Sequence, residues 1–171
     1  PASLQLYGVD LPWVTSAVHL GHELHQAGTM EHDAKVKRTI FIENSTDIRE
    51  TFQFAHPAQV LQEVNVYASH FYGSMLWNLY GAGAEQVFRS WNTCVKLAWG
   101  VPRWSHNYLV EHVLSCGIPS VRKKLLGQYL GFFQKLLRSE SPEIRMLANL
   151  VGRDAGSVTG SNLINLEDEF G

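Results

Sequence analysis

Two amphipathic segments stand almost back to back in the middle of the chain, and their spacing dictates a helical core. In the first, Val60, Leu61, Val64, Tyr67, Ala68 and Phe71 recur at steps of three and four that gather them on one helical face. In the second, Ala84, Val87, Phe88, Trp91, Val95 and Ala98 do the same. Between them, Tyr72-Gly73-Ser74-Met75-Leu76-Trp77 is too apolar to stay in water, and its glycine weakens any continuous helix. Ten aromatic residues fall between Tyr67 and Tyr108, so the core is expected here with most of these rings inside it. At 171 residues and 45% apolar composition, the chain can build one domain with a real core, or one with a small appendage.

On the N-terminal side, Leu4, Leu6, Gly8-Val9-Asp10, Leu11 and Trp13-Val14, then residues 16–21, alternate and turn like a hairpin followed by a third strand. Gly28-Thr29 starts a long helix over 30–54, with Thr29 as its cap, Glu31 and Asp33 at its positive end, and Asn44-Ser45 as a point of interruption. Pro57 suits the first turn of the next helix, where its missing N–H costs nothing. Ser105 caps a short helix reaching Leu114, and Gly117-Ile118-Pro119 opens another that buries Val121, Leu125, Tyr129, Phe132, Phe133 and Leu136. Ser141-Pro142-Glu143 begins a last helix through Val151, with Ile144, Leu147 and Ala148 inward. From Gly152 on, glycine, serine and acids predict a surface tail ending with a brief helix at best. The expected fold is therefore mainly α, a helical bundle preceded by a small antiparallel β-hairpin or three-strand remnant. Its divisions are 1–27 (β remnant), 28–151 (helical domain) and 152–171 (tail).

A net charge of −2 hides an asymmetry. Residues 87–138 carry eight basic side chains against one acid, Glu111, a local +7, which leaves −9 to the remainder. Such placement makes a positive surface on a nearly neutral protein. Lys35, Lys37 and Arg38 cluster at the opening of the long helix, and Arg89, Lys96 and Arg103 flank the tryptophan-rich centre. Lysine and arginine on rigid elements neutralise phosphates, and aromatics beside them stack on bases; the competing reading is a solvated helix face over an aromatic core. Cys94 and Cys116 lie apart in apolar surroundings and read as buried free thiols of a reducing compartment.

Catalytic patterns are sparse. His19, His22, His25 and His32 are numerous enough for a zinc site, but they lack the His-Glu-x-x-His spacing, and a turn at Gly21 need not make them converge. A histidine-based metallohydrolase is thus the weakest reading, and no metal site is expected. No Gly-x-Ser-x-Gly elbow, phosphate-cradling glycine loop or cluster of acids for two-metal catalysis occurs outside Glu167-Asp168-Glu169 in the tail. No signal-peptide pattern or membrane-length apolar run is present. A start at Pro1 directly into patterned sequence suggests a piece of a longer polypeptide.

Four motifs in order carry a resemblance: Ala17-Val18-His19-Leu20-Gly21-His22-Glu23-Leu24, Gly28-Thr29-Met30, Phe71-Tyr72-Gly73-Ser74-Met75-Leu76-Trp77 and Trp91-Asn92-Thr93-Cys94-Val95-Lys96. Together they resemble the region after the catalytic palm in reverse transcriptases of non-LTR, LINE-type retrotransposons. The resemblance implies a palm-edge, primer-grip-like strand at His19-Leu20-Gly21, then a helical thumb and post-thumb region. It implies phosphate contacts from Lys35, Lys37 and Arg38, with Arg89, Lys96, Arg103 and the Arg122-Lys123-Lys124 cluster as further contacts. The partners implied are template RNA, complementary DNA and the upstream palm and fingers of the same polypeptide, in an intracellular nuclear or cytoplasmic ribonucleoprotein with no membrane. The family's polymerase uses paired aspartates with Mg, and no Asp-Asp pair occurs here, so this segment is expected to need no cofactor and to be inactive alone. The alternative is a helical protein-interaction or scaffold domain from a decayed or co-opted element.

Overall fold

The computed structural model describes residues 5–6, 9–10, 14–19, 22–25 and 30–170. Two antiparallel hairpins come first. Strand β1 (Gln5–Leu6) pairs with β2 (Val9–Asp10), and β3 (Ser16–His19) pairs with β4 (His22–His25), with His19 opposite His22. The third expected strand is therefore half of a second hairpin. Leu20 and Gly21 of the primer-grip-like motif, and the proposed cap Thr29, lie outside the described residues.

The rest is helical: α1 (Glu31–Thr51), α2 (Pro57–Glu63), α3 (Ala82–Ala98), the short α4 (Asn107–Leu109), α5 (Val121–Leu137), α6 (Pro142–Arg153) and α7 (Val158–Phe170). Helix α1 runs unbroken through Asn44-Ser45, and Ser45 Oγ and Thr46 Oγ1 both donate back to the Ile42 carbonyl. These hydroxyls satisfy themselves on the helix instead of opening it. Pro57 sits in the first turn of α2 as expected, capped by His56, whose ring accepts from the Ala58 N–H. Ser120 caps α5, one residue after the predicted Gly-Ile-Pro start, and Ser141 caps α6. Ser105 does not cap; His106 precedes α4.

Helix α2 continues into a π-helical turn over Val64–Ala68, closed by Ser69 N–H to the Val64 carbonyl at 3.1 Å. The wider turn changes the rotation per residue, so the predicted apolar stripe is split. Val60, Leu61, Val64, Ala68 and Phe71 are buried, whereas Tyr67 is 67% exposed. A second π turn, Val110–Leu114, follows α4. On α3 the stripe holds: Ala84, Val87, Phe88, Trp91 and Val95 are buried against Ala34 and Phe41 of α1 and the rings of Phe71 and Trp77.

Gly73 has a specific task. It adopts φ +80, and a Cβ there would lie 1.6 Å from the ring of His22. The imidazole fills the space a side chain would take, stacks on Tyr72 at 5.2 Å, and places Nδ1 3.5 Å from the buried carboxylate of Asp33, which also accepts from Trp77 Nε1 at 2.8 Å. This network fastens β4 to α1 and to the Tyr72-Gly73 turn.

Two expectations at the C-terminal side are corrected. The stretch after Gly152, read as a surface tail, forms α7, and its Asn162 is fully buried. The Asn162 amide accepts from Leu79 N–H and donates to the Trp77 carbonyl, both at 2.9 Å, completing backbone groups that the irregular 77–79 segment leaves open. On α6, Ile144 and Leu147 do not point inward; with Met146 and Leu150 they are exposed, and only Ala148 is buried. Helix α6 packs on α5 and α7 near its small residue Gly152, where a Cβ would stand 2.7 Å from Phe133 and 3.3 Å from Leu163. Close approach along that edge turns the large apolar residues outward.

Candidate functional site

Helices α1 and α3 form the most extensive helix pair, and their contacts advance in step: Ala34 with Gly83, Arg38 with Ser90, Ser45 with Cys94. The two helices therefore run roughly parallel. Close packing of Ala34 and Gly83 near their N-terminal ends gives way to longer polar side chains further along, and a cleft of about 510 Å³ opens between them.

Four arginines line this cleft: Arg38 and Arg49 from α1, Arg89 from α3, and Arg103 from the loop after α3. Hydroxyls of Ser45, Thr46, Ser90 and Thr93 lie between them, and no acid is among the described lining residues. Arg38 Nε donates to Ser90 Oγ at 2.8 Å, which fixes the guanidinium while its outer N–H groups can still donate to a ligand. Arg89 pairs with Glu85 one turn earlier at 3.0 Å, an exposed pair that a stronger anion displaces at little cost. At the floor, burial pushes the Cys94 thiol up to about 11, with Ser45 and Arg49 pulling the other way. It is a protonated core thiol at neutral pH, not a nucleophile. Cys116, expected to be buried, is exposed and lies in the left-handed region at φ 52.

The structure sorts the predicted basic residues into different fates. Of the first trio, Arg38 enters the cleft and Lys35 is exposed on α1, whereas Lys37 is half-buried, already engaged, and about 100° round the helix from Arg38. The trio does not share one surface. Arg89 and Arg103 join Arg38. Lys96, expected at a phosphate, is instead 5% exposed: its ammonium donates to the carbonyls of Arg103 and Ser105 and to Asn107 Oδ1. That geometry follows from the end of α3, where Val101 N–H bonds the Lys96 carbonyl and Gly100 N–H the Leu97 carbonyl around the left-handed Gly100. This glycine stop folds the loop back over the last turn, and its carbonyls converge on the nearest cation.

The Arg122 cluster lies on another face and is largely committed. Arg122 donates to Glu169 at 2.7 Å and sits over the rings of Tyr80 and Phe88. Lys124 donates to Ser69 Oγ at 2.7 Å and to the Asn65 carbonyl, and burial lowers its pKa. Lys123 is exposed at the rim of an apolar groove between α5 and α7.

Arg49 was missed by the sequence reading. Arg38, Ile42, Ser45, Thr46 and Arg49 follow the i, i+4, i+7, i+8, i+11 spacing of a single helical face, the same rule that identified the core. Applied to polar residues, it would have found Arg49. Of the histidine candidates, His22 is spent on the Asp33 network, and among the described residues no three His, Cys, Asp or Glu side chains gather in a way that could hold a metal ion. Among the described residues no helix is long and apolar enough to cross a membrane. No protein-family model, curated protein or solved structure matches the chain.

Proposed function

We propose that this domain grips the sugar–phosphate backbone of a nucleic acid through the arginine-lined cleft between α1 and α3. The observation that carries the reading is the convergence of Arg38, Arg49, Arg89 and Arg103 on one open cleft that no acid lines among the described residues. Guanidinium groups bind phosphate oxygens bidentately, and packed helices hold them in place without an ordering cost at each contact. In the LINE-type reading, the cleft belongs to the thumb and post-thumb region of a reverse transcriptase. Its partners are template RNA and complementary DNA within an intracellular ribonucleoprotein. The paired aspartates and Mg that perform nucleotidyl transfer belong to upstream palm and fingers domains, and this segment contributes binding, not chemistry. The β3–β4 hairpin would then stand at the palm edge, with His19 in its primer-grip-like strand.

A second reading, a protein-interaction or scaffold domain, draws support from the exposed Ile144, Met146, Leu147 and Leu150 of α6 and the apolar groove between α5 and α7. Titration of a labelled RNA–DNA hybrid separates the two. The phosphate reading expects R49A/R103A to weaken binding about tenfold at low salt while thermal stability stays near wild type. Equal affinity for both proteins, or no hybrid binding at all, would leave the interaction reading standing alone.

A further inference from the structure

We infer that exposed Trp104, the chain neighbour of the cleft residue Arg103, and the Tyr108–His112 ring pair that follows it offer stacking faces for unpaired nucleobases. The cleft would thus take a single strand, or the unpaired end of a duplex, in preference to a blunt duplex. This rests on the phosphate reading and adds to it the form of nucleic acid recognised.

Trp104 is 86% exposed and Tyr108 67% exposed, although the aromatic content of this region reads as core. The other described tryptophans behave as expected: Trp77 and Trp91 are buried, and Trp99 is half-buried with its Nε1 donating to the Leu114 carbonyl. One exposed ring is ordinary. Three features set this one apart. First, four and eight residues on, Tyr108 and His112 lie ring against ring with centroids 4.3 Å apart, a second aromatic pair with polar edges in the same part of the chain.

Second, the loop backbone is tied down by hydrogen bonds. Lys96 binds the carbonyls on either side of Trp104, those of Arg103 and Ser105, and Ser105 N–H closes a turn on the Pro102 carbonyl. A buried cation thus holds the backbone that carries an exposed indole. Lys96 is a positioning residue for Arg103 and Trp104.

Third, Arg103 lines the cleft and Trp104 is its neighbour, with Cα atoms about 3.8 Å apart. A strand whose phosphate sits on Arg103 brings an attached base within reach of the indole. Stacking on aromatic faces beside guanidinium groups is the chemistry by which single strands are held without sequence preference. In a blunt duplex every interior base is paired and stacked on both faces, so only the terminal pairs have a face left to offer Trp104. The four arginines favour this occupant over an apolar protein surface by charge complementarity.

The test compares a labelled single-stranded RNA with a blunt RNA–DNA hybrid of the same sequence, on wild type, W104A, W104F and R49A/R103A. W104A is expected to weaken single-strand binding about tenfold and leave the blunt hybrid unchanged, with W104F restoring most of the loss. Indole emission should be quenched by the single strand in wild type and far less in W104A. If R49A/R103A weakens both ligands but W104A weakens neither, or both equally, the platform is wrong and the phosphate reading survives. If R49A/R103A changes neither affinity, the phosphate reading fails and the platform with it.

Discussion

The chain places comparable numbers of basic residues in two regions and treats them in opposite ways. Between α1 and α3, four arginines face an open cleft, each tied lightly if at all. Beside α5 and α7, Arg122 is committed to Glu169 and to two aromatic rings, Lys124 to Ser69 and Asn65, and the neighbouring surface is apolar. The difference teaches that a cation's role is decided by whether acceptors converge on it. Where loop carbonyls or acids are brought close, the charge stabilises the fold; where two parallel helices leave a gap, it is kept for a ligand.

Lys96 is the sharpest case because it belongs to the first region in sequence and to the second in behaviour. K96A should destabilise the protein by about 3 kcal/mol, since it removes a buried charged donor and leaves the Arg103 and Ser105 carbonyls without it. Chemical denaturation measures this. A loss below about 0.5 kcal/mol would place Lys96 among the ligand-facing cations and erase the distinction.

A smaller loss, about 1 kcal/mol, is expected for K124A, whose ammonium bridges Ser69 Oγ and the Asn65 carbonyl at the π turn. K35A and K123A, both exposed, should lie within about 0.5 kcal/mol of wild type in the same experiment. Comparable effects at all three sites would show that exposure and convergence do not separate them.

The fold was legible where a rule of spacing applied. The α3 stripe and the helix starts at Pro57 and at Ser141-Pro142 appear as the sequence predicts, because each depends only on neighbours along the helix. What escaped depended on partners distant in sequence. Nothing local announces that Asn162 will complete the backbone of Leu79, so α7 looked like a tail. The π turn that expels Tyr67 breaks the period on which the stripe was built. At the site, Arg38, Arg89 and Arg103 were visible as basic residues, and Arg49 was visible as a periodicity left unread. The burial of Lys96 was not visible, because it arises from a loop folding back around Gly100.

A pH-dependent effect is expected at the cleft floor. Because the folded state raises the Cys94 thiol from 9.0 to about 11, its stabilising contribution is complete below pH 9 and is lost as pH rises through 11. By pH 9.5 the loss is less than about 1 kcal/mol, and C94A should remove that part of the alkaline decline. In a thiol-labelling assay at neutral pH, exposed Cys116 should react at once and Cys94 only on unfolding. Equal rates would mean that the cleft floor is open and its arginines are less fixed than described.

The most direct test is the salt dependence of single-strand binding. Four arginines neutralising four phosphates give a slope of log K against log salt of roughly −3, and R49A/R103A should bring it to roughly −1.4. A slope near zero, or one that the double substitution leaves unchanged, would contradict the claim that this cleft holds a phosphate backbone.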